Sequence, residues 1–87
     1  MKPKYIEFVY KFVKTLPSNS ICYEKLETFY DHYIYYYEAK YDIETFAKKL
    51  ATIDGLKIYH INDTRGLLEL HSNDILNFFR KRKYYYS

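Results

Sequence analysis

The sequence predicts a mainly α-helical domain that carries a small β-hairpin. Apolar residues recur every three or four positions along most of the chain, which is the period of a helix that buries one face. Between Gly55 and His71 the period changes to two, which is typical of strands. Only two glycines and two prolines occur in 87 residues, of which 48% are hydrophobic. We therefore expect one packed domain over residues 1–87.

The first helix is predicted over residues 5–16. Pro3 suits a helix start and Pro17 suits a stop. The apolar stripe of this helix consists of Ile6, Val9, Val13 and Leu16. Turn-forming residues follow at 18–20, and Ile21 is expected to make one short strand pairing before the next helix.

A longer second helix is predicted from Tyr23 to about Lys40. Residues of one face are apolar or aromatic: Leu26, Phe29, Tyr30, Tyr33 and Tyr37. Residues of the opposite face are acidic: Glu24, Glu27, Asp31 and Glu38. Tyrosine also favours strands, but the helical spacing favours a helix through the tyrosines at 35–37.

A third, shorter helix follows, with Asp42 as its N-cap and Gly55 as the left-handed residue that closes it. Its buried face is predicted to contain Phe46, Ala47, Leu50 and Ile53. Two strands with a polar turn at 62–66 then form the hairpin.

The last helix has its N-cap within residues 72–74 and leads into a basic, tyrosine-rich end at 80–87. The predicted order is thus helix, short strand, helix, helix, hairpin, helix. This is the order of a winged helix-turn-helix domain, in which the third helix enters a DNA groove and the hairpin is the wing.

Several classes of protein are disfavoured by the composition. Cys22 is the only cysteine, so no internal disulfide forms and a reducing cytoplasm or nucleus is expected. His32, His60 and His71 are scattered without metal-ligand spacing, so we expect no metal and no other cofactor. Lys and Glu interrupt residues 1–16, and no apolar run reaches the length of about 18 residues that a membrane span needs.

Charge is segregated along the chain although the net charge is only +3. Residues 1–20 carry four Lys and one Glu, residues 21–46 carry two Lys and six acids, and residues 47–87 carry eight basic residues and four acids. An acidic second helix that faces away from a polyanion would leave the basic residues of the third helix, hairpin and C-terminal end to face it. This distribution favours a nucleic acid as partner.

The predicted contacts with double-stranded DNA are basic or small polar residues of these three segments: Thr45, Lys48, Lys49, Thr52, Lys57, His60, Thr64, Arg65, Arg80, Lys81, Arg82 and Lys83. Each has an ordinary alternative. The two helix lysines could form a solvated face, Arg65 could extend freely from the turn, and His60 is better explained as a strand residue on a wet face. The C-terminal basic run could equally be a frayed, solubilising end.

Tyrosine is the outlier of the composition, because 13 Tyr and six Phe make up 22% of the residues. Codon bias in an AT-rich genome and core filling are the favoured explanation. Stacking of bases on exposed rings is the alternative.

The stretch from Ile21 to Leu70 resembles the winged-helix domain shared by the regulatory factor X transcription factors and the C-terminal region of phage- and poxvirus-type primase-helicases. The residues that carry the resemblance are Ile21, Leu26, Tyr30, Tyr33, residues 46–50, Gly55 and residues 64–66.

What the resemblance implies differs between its two branches. In the regulatory factor X branch the hairpin makes the main base contacts, which would raise the importance of Lys57, His60 and Arg65, but the hairpin here is short and carries fewer basic residues. In the primase-helicase branch the domain is part of a large enzyme. Neither a nucleotide-binding glycine loop nor a primase carboxylate cluster occurs here, so the resemblance implies binding and no activity.

The favoured function is a small DNA-binding protein, either a regulator or a replication accessory of a virus, plasmid or mobile element. A homodimer through the last helix would enlarge its contact area, with Ile75, Leu76, Phe78 and Phe79 as the interface; alternatively this helix completes the monomer's own core. The second hypothesis is a protein-interaction module whose patch includes exposed tyrosines and Phe78 or Phe8. An enzyme is not expected, because no nucleophile has an identifiable base beside it.

Overall fold

The computed structural model describes residues 3–37, 41–62 and 65–83. In chain order the elements are α1 (Lys4–Lys14), β1 (Ile21–Lys25), α2 (Leu26–Tyr37), α3 (Ile43–Leu50), β2 (Leu56–His60), β3 (Gly66–His71) and α4 (Ser72–Lys81). The described part of the chain is thus a small α/β domain of four helices and one three-stranded antiparallel sheet. The predicted order of elements is confirmed.

The sheet has the strand order β1-β3-β2, so the last strand lies between the other two. Leu70 is paired with Cys22 on one side and with Leu56 on the other, and both leucines are buried. Side chains alternate along a strand, so Cys22, Leu70 and Leu56 face the helices. The next residue along each strand faces outward.

The start of α2 differs from the sequence prediction. A helix from Tyr23 was expected, with only one short strand pairing at Ile21, yet all five residues of β1 pair with β3 and the helix begins at Leu26. The pairing of Tyr23 with Glu69 and of Lys25 with Leu67 satisfies the backbone that would otherwise form the first helical turn. The helix ends at Tyr37 in the described chain, and residues 38–40 lie outside it.

The N-cap of α3 is confirmed, because the Asp42 side chain accepts a hydrogen bond of 2.8 Å from the backbone N–H of Thr45. Gly55 has the predicted left-handed backbone, with φ of 93°. It does not close the helix, however, which ends at Leu50 with Ala51 as its C-cap. Gly55 instead ends the turn before β2, and its carbonyl accepts a hydrogen bond from His71 N–H.

The core is aromatic at its centre. Phe46 of α3 is fully buried and stacks on Tyr33 of α2, with ring centroids 4.6 Å apart and an interplanar angle of 17°. Phe8 of α1 contacts Phe29 and Tyr33 at centroid distances of 4.8 and 5.6 Å. Burial raises the pKa of Tyr33. Tyrosine therefore supplies core volume, as the composition suggested.

The predicted N-cap within residues 72–74 is wrong. His71 occupies the cap position without a side-chain cap hydrogen bond, and Ser72 is already helical and buried. The Ser72 hydroxyl donates to the Pro17 carbonyl at 3.1 Å and accepts from Ser20 N–H at 3.0 Å. It is thus engaged with the turn after α1 and not with its own helix.

The last helix completes the core of its own chain. Ile75, Phe78 and Phe79 are buried, and Leu76 is partly buried against the same core. These side chains therefore offer no exposed patch to a second copy, in contrast to the homodimer interface that the sequence suggested. Phe78 is likewise unsuited to the protein-contact patch of the second hypothesis, whereas Phe8, although mostly buried, lines an open groove between α1 and α2.

Candidate nucleic-acid interface

The exposed side of α3 carries a lysine beside a glutamate. Glu44 and Lys48 lie one turn apart, with 3.7 Å between Oε1 and Nζ, and both side chains are mostly exposed. Such an exposed pair is weak, so the ammonium group remains able to exchange its partner for a phosphate. Lys49 points to another side, where its Nζ lies 5.5 Å from the centroid of the Tyr41 ring.

His60 from the end of β2 lies next to this part of α3. The two elements line one open depression of about 300 Å³. Its lining residues are Glu44, Ala47, Lys48, Ala51 and His60. The structure therefore brings together one predicted contact from the third helix and one from the hairpin, with small alanine side chains between them.

Of the three predicted threonines, Thr45 and Thr52 lie in the described chain and take part in local hydrogen bonds. The backbone N–H of Thr45 binds Asp42, and this hydrogen bond lowers the pKa of the Asp42 carboxyl. The Thr52 hydroxyl donates to the Lys49 carbonyl at 2.7 Å and is exposed, so its oxygen can still accept a hydrogen bond.

Arg65 is directed toward α2. Its Nε lies 3.9 Å from Oε2 of Glu27, and its backbone N–H donates to the Asn62 side chain at 3.0 Å. The guanidinium is still exposed, but it is held beside an acidic side chain and does not extend freely from the turn. Thr64 lies outside the described residues.

Lys57 lies on the outer face of the sheet, opposite Glu69 of β3. His60 is three residues further along the same strand, so its side chain is directed to the opposite face. The two predicted hairpin contacts of β2 are thus on different sides of the sheet.

The basic C-terminal segment lies beside α1. Contacts of Asn73 with Asn19 and of Phe79 with Tyr10 show that α4 runs antiparallel to α1, so its end points toward the start of α1. Within the segment, Arg82 covers the Phe78 ring at 3.8 Å, and Arg80 contacts Asn77 at 3.3 Å.

Lys81 and Lys83 are exposed, and the backbone N–H of Lys83 donates to the Arg80 carbonyl. Residues 84–87, with the final three tyrosines, lie outside the described chain. The predicted contacts therefore occupy several places: α3 with His60, the outer sheet face, the turn near α2, and the end of α4.

Sequence reasoning missed a polar cluster on the outer face of the sheet. Glu69 is central to it, with its Oε2 2.6 Å from Nε2 of His71 and its Oε1 3.4 Å from the Tyr59 hydroxyl. The hydrogen bond from His71 is the main reason that the pKa of Glu69 is lowered, and the neighbouring Tyr23 side chain lowers this pKa further. The negative charge of Glu69 in turn raises the pKa of Tyr23.

A period-two signal for this cluster is present in the sequence. Tyr23 and Lys25 alternate along β1, and Lys57 and Tyr59 alternate along β2. The assignment of Tyr23 to a helix concealed the first of these pairs.

Comparisons of the chain with protein-family models, with characterised proteins and with solved structures give no match. The resemblance to regulatory factor X and primase-helicase domains therefore stays a prediction. None of the helices in the described ranges is long and apolar enough to cross a membrane. Over those same ranges, no group of three or more His, Cys, Asp or Glu residues is arranged to hold a metal ion.

Proposed function

We propose that this chain is a winged-helix domain that binds double-stranded DNA through the exposed side of α3 and the adjoining end of β2. The element order and the strand order β1-β3-β2 support this assignment, since a winged helix consists of three helices, a strand between the first two, and a hairpin that pairs with it. In such domains the third helix lies in the major groove.

The observation that carries the proposal is the shared depression of Lys48 and His60. A helix that enters a groove needs an exposed face without bulky apolar groups and with donors at its edge for phosphates. The exposed side of α3 has this character, because Lys48 and Ala51 are exposed there and His60 lies in the same depression.

Recognition is led by the helix and not by the wing. The basic residues of the hairpin lie elsewhere: Lys57 is on the outer face of the sheet, Arg65 is directed toward Glu27 of α2, and neither lines the depression of Lys48 and His60. The basic end at Arg80–Lys83 contributes long-range attraction, which speeds association and weakens with salt.

The test is the affinity of the chain for a labelled random-sequence DNA duplex, measured by fluorescence anisotropy. The double variant Lys48→Ala/Lys49→Ala removes the Lys48 phosphate contact together with the neighbouring Lys49 charge, and it is expected to bind about tenfold more weakly. The matched control is Lys11→Ala/Lys14→Ala, which removes the same charge from α1 and should bind nearly as the wild type does. Equal affinities for the two double variants would refute the proposal.

A role as a transcription regulator or a replication accessory of a virus, plasmid or mobile element, and assembly into a homodimer, stay predictions.

A second candidate function is protein binding, and one observation favours it. Tyr35 and Tyr36 of α2 are 80% and 69% exposed, and Tyr36 borders an open groove of about 680 Å³ between α1 and α2 that Phe8 and Phe12 also line. Aromatic residues at such positions are enriched in protein interfaces. Binding through this groove would depend little on salt and would be lost in Tyr35→Ser/Tyr36→Ser, whereas duplex binding would persist.

A further inference from the structure

The outer face of the sheet has an alternating arrangement of aromatic and basic side chains. Tyr23 of β1 and Lys57 of β2 pair with Glu69 from either side, and Lys25 and Tyr59 pair with Leu67 in the same way. The four flanking residues therefore form a rectangle with tyrosines at one pair of opposite corners and lysines at the other. The two tyrosine Cα positions are about 12 Å apart by strand spacing.

Tyr59 leans toward the middle strand, where its hydroxyl lies 3.4 Å from Glu69 Oε1. Tyr23 is the residue directly opposite Glu69 on β1. The rings themselves remain open to solvent, with Tyr23 56% and Tyr59 49% exposed. Glu69 thus lies between two aromatic rings whose surfaces are accessible.

The charge of this face is basic where a ligand would touch it. The Glu69 side chain is only 14% exposed and accepts hydrogen bonds from His71 and Tyr59. Lys25 and Lys57, in contrast, are exposed at the corners. An approaching ligand meets two ammonium groups and two aromatic rings before it meets the carboxylate.

We infer that the outer face of the sheet binds single-stranded nucleic acid, with bases stacked on Tyr23 and Tyr59 and phosphates at Lys25 and Lys57. Aromatic rings that alternate with cations suit a chain in which planar bases alternate with phosphates. The bases must be unpaired, because the faces of bases in a duplex are covered by their neighbours. This surface is separate from the depression at α3 and His60, so the inference does not depend on the duplex-binding proposal.

The same observations disfavour a second copy of the chain as the occupant. Two copies of this face would bring four exposed lysines together around carboxylates that already have donors. Three strands of five or six residues also present only about 300 Å² of sheet plane by strand spacing, well below the roughly 800 Å² per partner of a standard interface.

The experiment measures binding of a labelled oligothymidine of about 12 nucleotides, a length within the site sizes of single-strand-binding domains. The double variant Tyr23→Leu/Tyr59→Leu is expected to bind at least about tenfold more weakly, because two stacking rings are lost. Tyr23→Phe/Tyr59→Phe keeps the rings and should retain most of the affinity. Tyr35→Leu/Tyr36→Leu is the matched control, because it removes two even more exposed rings from α2, away from this face.

Circular dichroism melting curves establish that each variant is folded. Lys25→Ala/Lys57→Ala provides a second route if the leucine variant does not fold, and should make the salt dependence of binding shallower by about 1 to 2 in the slope of log affinity against log salt. Duplex binding should be unchanged in the leucine variant. The inference is overturned if wild-type protein does not bind the oligothymidine, if the folded leucine variant binds as tightly as the Tyr35/Tyr36 control, or if the wild type sediments as a dimer and the leucine variant as a monomer.

Discussion

Arg65, directly before β3, and Glu27, in the first turn of α2, face each other with 3.9 Å between Nε and Oε2. The contact joins the hairpin turn to the helix that directly follows β1. In the proposed complex with DNA, Arg65 would have to leave this carboxylate before it could bind a phosphate.

Release of Arg65 should strengthen duplex binding. The variant Glu27→Gln removes the competing carboxylate, and we expect the affinity for a DNA duplex to rise about threefold, because exposed ion pairs are worth well under 1 kcal/mol. The control is Asp31→Asn, which removes an exposed acid one turn later on the same helix. Equal gains for the two variants would show that only net charge matters and that Arg65 makes no contact.

Gly55 is required by both its backbone and its surroundings. At φ of 93° a side chain is strained, and a Cβ would lie 2.7 Å from Asp74 Cβ and 2.8 Å from the backbone nitrogen of Ile75. We expect Gly55→Ala to lower the free energy of unfolding by about 2 kcal/mol or more in urea titrations.

Gly66→Ala provides the comparison for this prediction. A Cβ at Gly66 would lie 3.1 Å from the Tyr59 carbonyl oxygen, which is a milder contact than those at Gly55. The backbone of Gly66 also has no positive φ, so a smaller loss of stability is expected. If Gly66→Ala is the more destabilising of the two, the account of Gly55 is wrong.

Much of the fold could be predicted because local signals and burial agree. The helical spacing of Phe46, Ala47 and Leu50 predicts the face of α3 that is buried, and Asp42 is the N-cap that its residue type suggests. Tyr23 was misassigned because an isolated tyrosine suits either element, and only the pairing of its backbone with Glu69, far along the chain, decides for a strand.

The candidate site was harder to predict than the core. Ser72 has the residue type of an N-cap, yet it binds Pro17 and Ser20, which are distant in sequence. Likewise nothing near Arg65 in the sequence reveals that Glu27 is its partner. Charge along a chain indicates a class of ligand, whereas the direction of each charged side chain depends on tertiary contacts.

Glu69 should make the stability of the sheet depend on pH. Its pKa in the folded protein is lowered, chiefly by the hydrogen bond from His71, so the ionised form stabilises the fold. This stabilisation is fully present above the pKa of Glu in the unfolded chain, about 4.3, and is lost as the pH falls through the folded pKa. The variant Glu69→Gln should be less stable than wild type at neutral pH, and the difference should shrink in acid.

Urea titrations of both proteins between about pH 7 and pH 3 measure this effect across the ordinary range of Glu titration. A stability difference that is constant over the whole range would show that the Glu69 charge does not contribute.

The central claim is that the exposed side of α3 meets the phosphates of a DNA duplex. The most direct measurement is the salt dependence of duplex affinity for wild type and for Lys48→Ala/Lys49→Ala. With Lys48 in contact and Lys49 and the basic end adding to the local positive charge, the slope of log affinity against log salt should be about −2, and the double variant should make it shallower by about 1. A wild-type slope near zero, or an equal slope in the double variant, would contradict the claim.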